Sequence, residues 1–319
     1  MVSSSRIFLL GEALIDLIQE SDQRYSACLG GSIFNVGLAL ARLACAPVYL
    51  NRFSMDAWGR ALRQTAVQEG LGLTSLAASR CATALAVVSL DAGGQPQYAF
   101  YRAAVADRDW TSAEVLAQVQ PRPGDLLHTG GLALMPEDWP MLLEVLQAWR
   151  AAGAGVSMDL NVRMAAAQSP EAYRQTIAEA ASHADLLKVS DEDLMSLGVL
   201  ARGASSETAC TALRGWLGLI GAAPLLAVLT RGSQEGWCLA RGASPLAFWP
   251  PEVARPVDPV GAGDCFWAAM LAGLSREGLL GPSSPSPASL QSILALACRA
   301  AAHTIQRRGC DPIRATELF

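Results

Sequence analysis

The chain is short of nearly everything that would mark it as a metalloprotein, an exported protein or a nucleic-acid binder. Only three histidines occur in 319 residues, none in a ligand-like pair. His128, behind Asp125-Leu-Leu at an expected strand end, reads as structural rather than as a base. The eight cysteines are scattered, no two closer than Cys298 and Cys310, so there is no C-x-x-C spacing for a metal; reduced, buried small hydrophobes are expected. No basic run is present, and a formal net charge of -5 argues against nucleic acid as a main partner. Nucleotide phosphates are not excluded, because local amides and a few cations suffice to bind them. No apolar stretch approaches the ~20 residues of a membrane span. The N-terminal apolar run meets Glu12 and Asp16 too soon for a signal-peptide core, so a cytoplasmic protein without membrane contact is expected. No Gly-x-Gly-x-x-Gly follows the first expected strand, which argues against a nicotinamide dehydrogenase.

What is present is a globular pattern, with 51% apolar and 17% charged residues and enough length for a full core. From Gly124 onward strands and helices alternate. Strands are expected at 125–128, 156–159, 186–189 and 225–230, and helices at 136–152, 171–182 and 207–219. That is a doubly wound α/β sheet with functional loops at the carboxyl ends of its strands. Asn161, Arg163, Lys188, Ser190 and Thr230 all fall just past such ends. Arg163 and Lys188 would neutralise phosphate there, a solvated surface role being the alternative. Upstream, strands are expected at 6–10, 13–18 and 47–53, and helices at 32–44 and 56–69. Residues 84–102 read as a hairpin around Asp91-Ala-Gly-Gly94. The proline- and serine-rich 281–287 is a loop before a helix at 290–306. Without an internal repeat or linker, one domain over 1–319 is expected.

The most informative stretch is Asp258-Pro-Val-Gly-Ala-Gly-Asp264, running into the small apolar helix pattern 265–274. Gly261 and Gly263 permit a tight turn whose amides, with that of Ala262, would form an anion site at the helix start. A carboxylate beside a bound phosphate is repelled unless it has a task. Asp264 as general base to an attacking hydroxyl supplies one. For these residues alone, a capped turn remains the alternative.

Gly30-Gly-Ser-Ile-Phe-Asn35 and residues 258–266 resemble, in order and separation, the two signatures of the ribokinase and fructokinase (PfkB-type) carbohydrate kinases. Further segments match across nearly the whole chain: Gly11-Glu-Ala-Leu-Ile-Asp16, Phe100-Tyr-Arg102, Asp159-Leu-Asn-Val-Arg163, Leu187-Lys-Val-Ser-Asp-Glu192 and Leu229-Thr-Arg-Gly232. The resemblance implies a mostly parallel sheet with a small β lid from segments near 12–29 and 84–107. It implies sugar held by Asp16, Gly30, Gly31, Asn35, Phe100, Arg102 and Arg163, and ATP by Asn161, Lys188, Ser190, Thr230 and Gly232. Ser190-Asp-Glu-Asp193 stands where the family has Asn-x-x-Glu, so Asp193 would reach magnesium through water; a helix cap is an equal reading of Ser190. Asp258 would bind a monovalent cation such as potassium.

The expected activity is ATP-dependent phosphorylation of a sugar's primary hydroxyl. Gly11–Asp16 and 100–107 look most like fructokinases. Arg102 with Arg163 would equally serve a sugar acid such as 2-keto-3-deoxygluconate, and a nucleoside is a third candidate. A catalytically silent sugar- or nucleotide-binding protein is the alternative of another class. The 84–102 hairpin, with Leu85, Val87, Phe100 and Tyr101, has too little chain around it to cover both faces, so a homodimer through the lid is expected.

Overall fold

The computed structural model describes residues 5–21, 24–90, 96–281 and 285–318. Its strands are β1 (Ile7–Leu9), β2 (Leu14–Ser21), β3 (Arg24–Gly30), β4 (Val48–Tyr49), β5 (Gly72–Leu73), β6 (Ala84–Leu90), β7 (Pro96–Tyr101), β8 (Leu126–Gly130), β9 (Gly155–Asp159), β10 (Leu186–Ser190), β11 (Leu226–Thr230), β12 (Gly236–Ala240) and β13 (Leu246–Phe248). Nine of them form the main sheet in the order β13-β12-β11-β10-β9-β8-β1-β4-β5. From β11 to β5 every pairing is parallel, while β12 and β13 add an antiparallel edge. A second sheet, β3-β2-β6-β7, is built from the segments that leave the main sheet after β1 and after β5. The expected hairpin turn at 91–94 lies outside the described residues.

The helices are α1 (Ser32–Arg42), α2 (Ala57–Gln68), α3 (Ser112–Gln118), α4 (Trp139–Ala151), α5 (Pro170–Ser182), α6 (Asp191–Ser196), α7 (Ser206–Leu219), α8 (Ala262–Arg276), α9 (Pro287–Thr304) and α10 (Ala315–Leu318). They cover both faces of the main sheet, which is why its strands are apolar on both sides. Ile7 and Leu9 join the core under α1, α8 and α9 with Phe34, Trp267 and Leu294. Phe8 and Leu10 point the other way, into the core of α4, α5 and α7 with Trp149, Tyr173 and Leu213. Among the described residues no helix is long and apolar enough to cross a membrane.

Several boundaries differ from the sequence expectation for local reasons. The strand expected at 47–53 pairs only over Val48 and Tyr49, with β1 and β5 beside it. Helix α4 begins at Trp139, because 131–134 first make a 3-10 turn and Pro140 is admissible in the first helical turn. Helix α9 starts earlier than expected, where the Ser286 hydroxyl accepts from the Ser289 amide at 3.1 Å and Pro287 opens the helix. The short helices α3 and α6 carry capping boxes, Thr111 with Glu114 and Ser190 with Asp193.

Candidate active site

Helix α8 enters from a left-handed residue, Gly261, with φ of 77°. A side chain there would be strained, and it would begin 2.4 Å from the Cys310 Sγ. Asp258 braces the turn from both sides, its Oδ1 accepting from the Val260 amide at 3.0 Å and its Oδ2 from the Gly309 amide at 2.9 Å. The Ala262 amide is turned onto the Pro259 carbonyl at 3.2 Å, so it serves the turn. Gly263 and Asp264 stand in the first helical turn, where amides have no intrahelical acceptor and the helix dipole is positive.

Asp264 is 8% exposed and doubly held. Ser32 donates to its Oδ1 at 2.7 Å and Asn35 to its Oδ2 at 2.8 Å, both from the first turn of α1. One turn further along α8, Trp267 is fully buried and donates to the Ser157 hydroxyl at 2.9 Å, which also meets the His128 Nδ1 at 3.0 Å. This contact fixes the depth of α8 against β8 and β9. Burial pushes His128 down to about 3, with Lys188 adding to the shift, so the imidazole is a neutral structural partner.

Lys188 is the only lysine in the chain. It is buried in the middle of β10 rather than past its end as expected, bonded to the Asp159 Oδ2 at 2.7 Å. Its Nζ lies 3.3 Å from where a side chain on Gly263 would begin, so the missing Cβ leaves the ammonium beside the turn. Burial pulls its proton affinity down, but Asp159, Asp193 and Asp264 outweigh that and raise it, so the cation persists.

On β2, Asp16 faces the same crevice. Its Oδ2 lies 2.1 Å from the position a Cβ on Gly30 would take, so the carboxylate occupies the space that this glycine leaves. Burial, then repulsion from Asp264, pushes Asp16 up to about 6, with Arg163 opposing. Arg163 lies past β9, and its backbone amide donates to the Tyr173 hydroxyl at 3.2 Å. Gly31 sits against the Glu12 carbonyl, which accepts from the Phe34 amide at 3.3 Å and seats the start of α1.

Arg102 is held by a carboxylate of the protein itself. It is 9% exposed and donates to the Asp138 Oδ2 at 3.2 Å, in a buried polar group that also contains Glu12, Asn51, Asp107 and Arg108. Arg108 donates to the other Asp138 oxygen at 2.6 Å. Both Asp107 carboxylate oxygens and one of Glu12 find no partner among the described residues. Burial pushes Glu12 up to about 7 and Asp107 up to about 6. Phe100 is half-buried on β7 and stacks on Tyr98.

The remaining candidates line the strand ends. Asn161 has a left-handed φ of 39°, tolerated better by asparagine than by most residues. Ser190 and Thr230 close β10 and β11, and Gly232 turns the chain after β11. Asp193 spends one oxygen on the Val162 amide and the other on the Ser190 amide, each at 2.7 Å. Each oxygen keeps a second lone pair, which can accept from a metal-bound water. Among the described residues no three His, Cys, Asp or Glu side chains converge as a metal site.

Ser32, Glu12, Asp138 and Asp159 were not singled out from the sequence. For Ser32 a signal existed: Ser32 and Asn35 are three apart on one helix, a spacing that puts both side chains on one face.

A mostly parallel sheet thus brings a glycine turn, a buried aspartate and a cation together in one crevice. Residues 4–316 match the model of the pfkB family carbohydrate kinases, and the chain belongs to that family. It is 29% identical over 317 residues to the fructokinase of Klebsiella pneumoniae, covering 94% of each chain. Its fold matches the crystal structure of Vibrio cholerae O395 fructokinase bound to fructose, ADP and calcium ion, with a TM-score of 0.79, 26% identity and coverage of 97% and 95%. A double mutant of that enzyme, bound to fructose, ADP and potassium ion, also matches with a TM-score of 0.79, at 26% identity and coverage of 97% and 94%. The protein is a sugar kinase.

Proposed function

We propose that this sugar kinase transfers the γ-phosphoryl group of ATP to a primary hydroxyl of a ketose, fructose first among them. The carrying observation is Asp264, held by two neutral donors beside the Gly263 turn and within the field of Lys188. As the sugar oxygen bonds to the γ-phosphorus, its proton passes to Asp264 and the bond to the β-phosphate oxygen breaks, leaving ADP. The free amides of the turn and Lys188 stabilise the charge spread over the transferring group. Asp16 accepts hydrogen bonds from sugar hydroxyls, and Asn35 and Arg163 complete the sugar side. Asn161, Ser190, Thr230 and Gly232 border the nucleotide. Magnesium would ride on the nucleotide phosphates and shield their charge, with Asp193 reaching it through water.

Arg102 favours a neutral sugar over a sugar acid. Asp138 already holds its guanidinium, and the neighbouring Asp107 carboxylate would repel a substrate carboxylate. The second sheet acts as a lid that excludes water when sugar is bound. Arg308 ties its tip to the loop before α10, pairing with Glu20 and donating to the Ser26 hydroxyl at 3.0 Å.

The test is ADP release with fructose, 2-keto-3-deoxygluconate, ribose and a nucleoside. Turnover on fructose well above the others is expected. Preference for the sugar acid would overturn the specificity, and no phosphoryl transfer to any of them would favour a silent binding protein.

A further inference from the structure

Asp264 has both oxygens occupied by donors from a single helical turn. Asn35, as the sugar-side residue proposed above, has a second amide hydrogen and a carbonyl left for the sugar. Ser32 has no such reserve: its one hydroxyl hydrogen goes to the Asp264 Oδ1 at 2.7 Å, and the serine is itself 7% exposed. Removing the hydroxyl takes this donor away from the Asp264 Oδ1. A hydrogen bond to the ionised form of an acid favours that form, and two such bonds on opposite oxygens also stop rotation of the carboxylate.

We infer that Ser32 is a positioning residue for the phosphoryl-transfer step: it holds the Asp264 carboxylate oriented as the proton acceptor while Asn35 also reaches the sugar with its remaining hydrogen and carbonyl. The inference rests on Asp264 as the base.

The titratable and charged groups that act on Asp264 come from four directions. Asp16 lies on β2, Asp159 at the end of β9, Lys188 on β10, and Cys310 in the loop before α10. Asp16 and Asp159 place negative charge near Asp264 and Lys188 a positive one. Ser32 is the neutral contributor whose removal leaves all these charges in place, so a shift in its variant reports the hydrogen bond.

The experiment compares wild type with Ser32→Ala and Ser32→Thr, and repeats Ser32→Ala in an Asp264→Asn background. In Ser32→Ala, kcat is expected to fall about tenfold, the size of one hydrogen bond to a charged group, while the sugar KM stays within about twofold. The acid limb of the kcat profile is expected to move to higher pH, Ser32→Thr to restore most of the rate, and Ser32→Ala to add little to Asp264→Asn. Infrared titration of the carboxylate band lost in Asp264→Asn follows the same contact without turnover, and the band is expected to titrate at higher pH in Ser32→Ala. An unchanged kcat with an unmoved limb would overturn the inference. So would an equal loss in the Asp264→Asn background, which marks a purely structural role. A wild type without kinase activity would refute the functional reading instead, and the infrared titration would still decide whether Ser32 acts on Asp264.

Discussion

Asn35 on α1 donates to the Oδ2 of Asp264 on α8 at 2.8 Å, across 229 positions of sequence. The two family signatures are thus one piece of machinery: the first turn of one helix holds the carboxylate that opens the other. The packing of α1 on α8 in the core beneath keeps the two turns in register.

Gly30→Ala should damage the sugar side selectively. A Cβ at that position would begin 2.1 Å from the Asp16 Oδ2, so the carboxylate or β3 must move. Misplacement on the scale of an ångström costs up to about 100-fold. The sugar KM is expected to rise while the ATP KM holds, as steady-state kinetics with each substrate varied will show. An unchanged sugar KM would remove Asp16 from the sugar site.

Glu12→Gln should change how stability depends on pH. Burial raises Glu12 in the folded protein from 4.5 to about 7. A raised carboxyl contributes most below its ordinary value, and that contribution is lost as pH rises through the folded value. The change approaches about 3 kcal/mol for a shift of this size. Wild-type stability relative to Glu12→Gln should therefore decline between about pH 4.5 and 7. Asp16 and Asp107, also raised by burial, bend the absolute curve in the same direction, so the difference between the two proteins is the quantity to read. Parallel melting curves across this range would contradict the prediction.

Much of this arrangement was legible in the sequence. The alternation of strands and helices from Gly124 pointed to the parallel sheet and the glycines before Asp264 to that residue, while Asp16 came from the family resemblance. The edge strands β12 and β13 escaped notice because short antiparallel additions leave little periodicity over three to five residues. The orientation of Arg102 was unreadable for a different reason. Its partner Asp138 lies 36 positions away in the lead-in to α4, and sequence spacing says nothing about which of several carboxylates a guanidinium will choose. Ser32 was hidden by its own motif, since a hydroxyl at a helix start reads first as a cap.

Potassium should activate modestly, through kcat. Asp258 uses one hydrogen bond per oxygen to brace the glycine turn, leaving lone pairs for a cation, while Pro259 already restricts the turn. Turnover in potassium is to be compared with a large organic cation at matched ionic strength. Activation should vanish in Asp258→Asn; strong activation that persists there would place the ion elsewhere.

A dimer through the second sheet should form at micromolar concentration. Tyr25 on β3 and Tyr101 on β7 share one face of this sheet and are 44% and 61% exposed, an aromatic surface that a second copy would cover. Sedimentation of the wild type as a monomer would sink this prediction. A monomeric Tyr25→Ser, Tyr101→Ser variant would support it.

The most direct test of the mechanism is the turnover of Asp264→Asn at saturating fructose and ATP. Asparagine keeps the size of the side chain and can keep one of its two hydrogen bonds, so folding and ATP binding should survive. Loss of a general base lowers the rate by about 100- to 10,000-fold. A drop in kcat of that size, with ATP affinity retained, is the predicted result; near-normal kcat would contradict Asp264 as the base.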